Sequence, residues 1–274
     1  LPGLVSHPEP PVGLAFSFLV AVALLSGPVN LFWFARGRAR HRVYWTTPLL
    51  SAAAAFAIWA LILVKDGTGG AGYRWTVLAV RPDVHRAAVV QEQVARTGLL
   101  FGSVFRAVDP VRLVPLDVER TWSMGVSLPR REIAGDAYSG WFRSRALEAH
   151  YLETVRPTRG RVEVTRGGRP QAVSSLEGAL DRLYVVDDNG AAWVAHEVTA
   201  GRRVTLEPAS DYDAWFGNIL ASGGPSGRRR LQGLQKLPGY FYATAPAGPA
   251  IESLASIRWT QDQLLYVGPV EDLP

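Results

Sequence analysis

The chain has 274 residues, 29 Lys or Arg against 24 Asp or Glu, a formal net charge of +5 and 48% hydrophobic residues. It contains no cysteine, which excludes disulfides, thiol catalysis and cysteine metal centres. With Arg36, Arg38, Arg40, Arg42, Lys65 and Glu9 set aside, everything from Asp66 onward is almost neutral, so the high pI marks one short stretch rather than an electropositive binding face.

Residues 1–10 read as an extracytoplasmic lead-in. The chain begins with Leu1 and its one methionine is Met124, so it is expected to be a processed chain or the downstream part of a longer protein. Pro11 to Ala35 carries no charged residue, and neither does Val43 to Val64. As helices these stretches would be roughly 37 and 33 Å long, enough to cross a hydrocarbon layer of about 30 Å with some tilt. The pattern predicts a two-helix transmembrane hairpin over 11–66, with spans at about 11–35 and 43–64 and a cytoplasmic loop at 36–42.

Arg36, Arg38, Arg40 and Arg42 are the topology determinants, because a short arginine-rich loop is retained on the cytoplasmic side. Phe32, Trp33 and Phe34 before the loop, and Tyr44 and Trp45 after it, place amphipathic rings at the same interface. A nucleic-acid patch would instead interleave aromatics along an exposed surface. Both termini are therefore expected outside a bacterial cytoplasmic membrane that the chain crosses twice.

Within the hairpin, Gly13, Ser17 and Ala21 on one span, and Ala53 and Ala57 or Ser51 and Ala55 on the other, predict close helix approach. Pro28 predicts a kink near Gly27. Asn30 reads as structural glue to the freed carbonyl region or the partner helix, with a polar transport path as the competing reading.

Gly67 to Gly72 lacks the strand before and helix after that a phosphate loop requires, and reads as a flexible exit from the membrane. From Tyr73 to Pro274 short apolar or alternating runs recur, among them "YRWTVLAV", "HYLETV", "RVEVTR", "LYVVD" and "GYFYATAP". Asn189-Gly190 in "LYVVDDNGAAWVAHEV" predicts a hairpin, and a turn at Thr199-Ala200-Gly201 would extend it through "RRVTLEP" into a three-stranded meander. "DYDAWFGNILASG" predicts one short helix, helix and strand templates compete over "AAVVQEQVARTGLL", and "ASGGPSGRRR" reads as a mobile loop. The fold class is an α-helical transmembrane hairpin followed by a mainly β extracytoplasmic region, 73–274, β-sandwich-like. A seam between two β units is placed near 156–171.

The order "GPVN", arginine loop, "WTTP", a span ending in "DG", then "GWFRSR" and "LYVVDDNG" resembles a group of uncharacterised bacterial membrane proteins. The resemblance is carried best by the hairpin. It implies an envelope location and a further domain upstream, and it implies no activity.

His7, His41, His85, His150 and His196 form no metal spacing, and no nucleophile elbow is present. No cofactor is expected. Glu148 with Glu153, or Asp187 with Asp188, are the available carboxylate pairs, more readily explained as strand and turn acids. Trp141, Phe142, Arg143 and Arg145 in "SGWFRSR" form a candidate interaction patch for a protein or glycan, against a reading in which the two rings plug one end of a β core. The expected partners are the lipid bilayer and an envelope protein, with no nucleic acid. The leading expectation is a non-enzymatic membrane-anchored envelope protein that presents β domains for protein-protein interaction, as an accessory of a transport or surface-assembly complex. The alternative is a membrane-tethered carbohydrate-active or ligand-sensing protein whose active domain lies upstream.

Overall fold

Pro28 cannot donate a backbone hydrogen bond to residue 24, and its ring crowds that carbonyl. The computed structural model, which describes residues 12–34, 41–107, 109–116, 132–134, 136–165 and 169–272, shows how the chain accommodates it. Helix α1 (Val12–Leu24) continues as a π-helix over Leu25–Phe34, so the helix widens where the sequence reads as a local kink. Ser26 Oγ donates to the Val22 carbonyl at 2.7 Å at the start of the widened segment. Helix α2 (Val43–Asp66) has 24 residues, and none of them is buried. Residues 1–10 and Arg36, Arg38 and Arg40 lie outside the described residues; Arg42 is exposed.

The small residues expected on the first span do not make the contact between the helices. Gly13, Ser17 and Ala21 are exposed, and a Cβ at Gly13 would find nothing within 4 Å. The helices are joined instead by Asn30, 1% exposed, which bonds the side chains of Thr46 and Thr47. Ser6–Thr68 forms one compact unit and Gly69–Pro274 another.

The second unit is mostly β. Its strands are β1 (Gly70–Arg81), β2 (Arg86–Thr97), β3 (Phe105–Arg106), β4 (Arg112–Leu116), β5 (Glu132–Ala134), β6 (Ala137–Ser139), β7 (Leu147–Pro157) and β8 (Val162–Thr165). They continue with β9 (Gln171–Ser174), β10 (Leu180–Val186), β11 (Ala192–Val198), β12 (Arg203–Thr205) and β13 (Glu207–Pro208). Helices α3 (Tyr212–Ser222) and α4 (Pro225–Gln232) follow, then β14 (Tyr240–Ala245), β15 (Ile257–Pro269) and β16 (Glu271–Asp272). Nine strands form one sheet in the order β13-β11-β10-β14-β15-β1-β2-β7-β4; a second sheet runs β12-β9-β8-β16 and a third β3-β6-β5. Within the large sheet β1 and β15 are parallel and the other neighbours antiparallel.

The period-2 alternation of a strand sends successive side chains to opposite faces. Leu78, Val80, Leu183, Val185, Phe241, Ala243, Leu264 and Tyr266 pack on one side with Val162, Val164 and Ala172 of the second sheet and Phe105 and Tyr138 of the third. Tyr73, Trp75, Val77, Tyr184, Val186, Tyr242, Leu265 and Val267 pack on the other with Tyr212, Trp215 and Phe216 of α3 and Leu231 of α4. Small sheets therefore cover one face and helices the other. At 156–171 the chain passes from the large sheet to the second, but both share one core, and Gly69–Pro274 clusters as one unit.

Several local expectations change in this setting. The ambiguous segment is strand β2, paired along its length with β1 on one side and β7 on the other. The supposed loop at Pro225 is α4, so α3 has a second short helix beside it. The meander is broken: β10 and β11 pair, but β12 crosses to the second sheet to pair β9, and only β13 returns to β11. Gly70 and Gly72 after α2 serve close approach rather than slack. A Cβ would lie 2.8 Å from the Arg96 carbonyl oxygen at Gly70 and 2.5 Å from that of Val94 at Gly72.

Candidate functional site

The candidate interaction patch is taken apart by burial. Trp141 and Phe142 are core residues, and the His150 ring meets both edge-on at centroid distances of 6.0 and 4.8 Å. Phe142 also meets Phe105 edge-on. The two rings plug the core under β7, so they are not exposed anchors for a protein or glycan. Arg143 reaches back into the same region: its backbone N–H donates to Glu148 Oε2 at 2.9 Å and its Nε to Oε1 at 2.6 Å. Arg145 takes a positive φ of 59°, and its N–H donates to the Gly98 carbonyl at 2.9 Å.

The proposed carboxylate pairs do not converge either. Glu148 and Glu153 are five residues apart on β7, which directs them to opposite faces. Glu148 is committed to Arg143, and Glu153 to Arg230 at 2.8 Å and Arg112 at 3.8 Å. Asp187 is occupied by the hairpin turn: Oδ1 accepts from the N–H groups of Asn189 and Ala191 at 2.9 Å, and Oδ2 from Trp193 Nε1 at 3.1 Å. Burial acts to raise the Asp187 pKa, but these donors outweigh it and hold the carboxyl below its ordinary value. Gly190, at φ 81°, is the positive-φ residue of that turn, while Asn189 is not.

A polar row that sequence inspection passes over runs across the large sheet. Asp262 on β15, Arg74 on β1, Gln93 on β2 and His150 on β7 are successive cross-strand partners. Arg74 is bound by Asp262 through Nε at 3.0 Å and through Nη2, donates from Nη1 to Glu252 at 3.3 Å, and lies 5.5 Å from the Trp259 ring centroid. In the adjacent row Gln91 holds the loop between β14 and β15: its Nε2 donates to the Ile251 carbonyl and its Oε1 accepts from the Ile251 N–H, both at 2.8 Å. Each polar residue is locally unremarkable in sequence; only strand register brings them into line.

Among the described residues, clefts open in the β body at two places relevant here. One, of about 260 Å³, lies beside the 187–189 turn and is lined by Asp187, Asp188, Trp193, Val164, Leu206 and Asp272 among others. The second, of about 230 Å³, lies where β14 ends, with Trp75, Ile219 and Leu265 as apolar lining and Asp181, Asp262 and Gln263 as polar lining. Tyr73 stands close by, its hydroxyl donating to the Ser222 carbonyl at 2.7 Å and lying 3.1 Å from Gln263 Oε1. Burial is the main cause that pushes its pKa up to about 12. Among the described residues no group of three or more His, Cys, Asp or Glu is arranged to hold a metal ion.

The fold defines a chain with two helices long and apolar enough to span a membrane and a mostly β region after them. No family model, curated protein or solved structure matches it.

Proposed function

We propose that this chain is a non-enzymatic, membrane-anchored protein of the bacterial cell envelope. Its hairpin spans the cytoplasmic membrane with the arginine loop inside, and its sandwich-like β body binds another protein on the outer side. The observation that carries the membrane part is the outward display of apolar side chains by the hairpin. Phe32, Trp33, Tyr44 and Trp45 are 72–82% exposed, and the apolar stretches Phe16–Trp33 and Val43–Asp66 are almost wholly unburied. A long apolar helix in the core of a soluble protein would bury its side chains; here the apolar surface calls for lipid. Aromatic rings clustered beside Arg42 support placing that end at the inner interface. The protein-binding part is supported by the clefts of the β body and by the stretch Ile257–Gln263 of β15, which β14 leaves unpaired, rather than by the "SGWFRSR" segment.

The absence of native cysteine makes the test direct. Single His41→Cys and Asn189→Cys variants are treated in spheroplasts with a membrane-impermeant maleimide. Labelling at 189 but at 41 only after permeabilisation is expected; the reverse pattern overturns the topology, and recovery in the soluble fraction overturns the membrane reading. Purification from native membranes is expected to retain a stoichiometric protein partner, and a purified body that turns over cell-wall sugars would sink the non-enzymatic reading.

A further inference from the structure

Strand β15 is bordered by β1 from Ile257 to Val267, but β14 pairs with it only from Leu264 to Pro269. Ile257–Gln263 thus has a strand on one side and, among the described residues, none on the other. Among the described residues, the backbone bond outside the strand pairs here is from the Ile257 N–H to the Leu254 carbonyl at 3.0 Å. The chain leaving β14 does not fill the lane. Gly248 sits against the side chains of Leu264 and Tyr266, and Ile251 is held by Gln91, so residues 246–256 run over the sheet face instead of along its edge. Arg258, Thr260, Gln261 and Gln263 are exposed. The result is a notch in the sheet, open along Ile257–Gln263 of β15 where β14 stops at Ala245.

The cleft of about 230 Å³ opens at the closed end of this notch, bordered by Thr244, Ala245 and Pro246 from the end of β14. Its lining contains Asp181 and Asp262 and no basic residue. Asp262 is shared with Arg74, whereas Asp181 is exposed and makes no ion pair among the described residues. Arg258 lies farther along the edge, outside the lining.

We propose that an extended peptide segment of a partner protein, carrying a basic side chain, adds to the sheet in the lane of β14 along Ile257–Gln263. This rests on the protein-binding reading above and gives that partner a chemistry. A row of alternating unpaired N–H and C=O groups is matched by another extended backbone, as in strand addition to sheet edges. Seven residues of edge span about 23 Å, long enough for a specific peptide contact. The cleft receives one side chain, whose stem lies on Trp75 and Ile219 while its charged end meets Asp181.

The test uses the full chain in detergent micelles and acetylated eight-residue peptides of alternating Thr and Val with a central Lys or Glu. Binding of the Lys peptide is expected to slow backbone hydrogen exchange within 258–263. Methylating alternate peptide nitrogens is expected to abolish binding in one phase and spare it in the other. The Glu peptide should bind roughly two- to fivefold more weakly, as fits an exposed ion pair, and Asp181→Asn should remove that preference. Protection located elsewhere, equal binding of both methylated phases, or no binding overturns the proposal. So does protection of 258–263 without peptide that disappears on dilution, because a second copy then fills the lane. If the peptides fail while a stoichiometric partner still co-purifies from native membranes, the docking site falls and the broader protein-binding function stands.

Discussion

Asn30 and Thr47 are joined across the helical hairpin, Asn30 Nδ2 donating to Thr47 Oγ1 at 2.9 Å. Thr46 completes the clamp by donating from Oγ1 to Asn30 Oδ1 at 2.6 Å. These residues are the Asn of "GPVN" and the two Thr of "WTTP", so the motifs flanking the arginine loop are halves of one contact. The π-helical segment around Pro28 carries Asn30 into it. The reading of Asn30 as glue between helices is the one this geometry supports.

An Asn30→Ala, Thr47→Ala double-mutant cycle in detergent should return a coupling of about 0.6 kcal/mol, with about 1.7 kcal/mol as a ceiling for such bonds in membranes. The measurement is reversible unfolding of the hairpin followed by tryptophan fluorescence. Zero coupling would mean that the clamp does not hold the helices together.

Gly227→Ala should destabilise the β body. A Cβ there would stand 1.9 Å from Cζ3 of Trp75, a fully packed ring in the core beneath the helices. The strain is expected to cost about 1–3 kcal/mol, and Trp75→Phe in the same chain should recover part of it by withdrawing the six-membered ring. Thermal melting of the wild-type chain, Gly227→Ala and the double variant checks both statements.

Trp141→Ala should lower the melting temperature sharply, because deleting a buried aromatic costs about 3–5 kcal/mol. Arg145→Ala, outside that aromatic packing, provides the comparison. If Trp141→Ala left melting unchanged, the plug assignment would fail.

At high pH the buried phenols should govern stability. Tyr73 and Tyr266 are both pushed from 10.0 up to about 12, in each case chiefly by burial. The folded state holds these protons more tightly than the unfolded chain, so their contribution is complete below about pH 10 and is lost as pH rises through about 12. Absorbance at 295 nm should rise in two steps, with the second coinciding with loss of near-ultraviolet circular dichroism. Tyr73→Phe should remove one phenol from the second step, and a single step at ordinary tyrosine pH would contradict the burial.

Much of the hairpin was legible in the chain. Two uncharged stretches and the arginines between them are local properties, and helix length follows directly from residue count. The β character of the body was similarly visible, because "LYVVD" and "GYFYATAP" carry strand composition whatever their neighbours. Partner choice was not visible. "RRVTLEP" looks like the continuation of a meander, yet Leu206 is buried and the adjacent strand β12 pairs with β9 in another sheet.

The same distinction separates the candidate sites. In "SGWFRSR", composition permits both an anchor patch and a core plug, and packing around His150 selected the plug. The notch beside β15 has no signature at all, since it exists only because β14 ends at Ala245 while β15 continues back to Ile257. Sequence alone determined the apolar spans and the strand-forming segments, through hydrophobic transfer and backbone preference acting over a few residues. Tertiary structure alone decided the Asn30 clamp, the Arg74 row and the open strand edge, because each depends on hydrogen-bond partners brought together from distant parts of the chain.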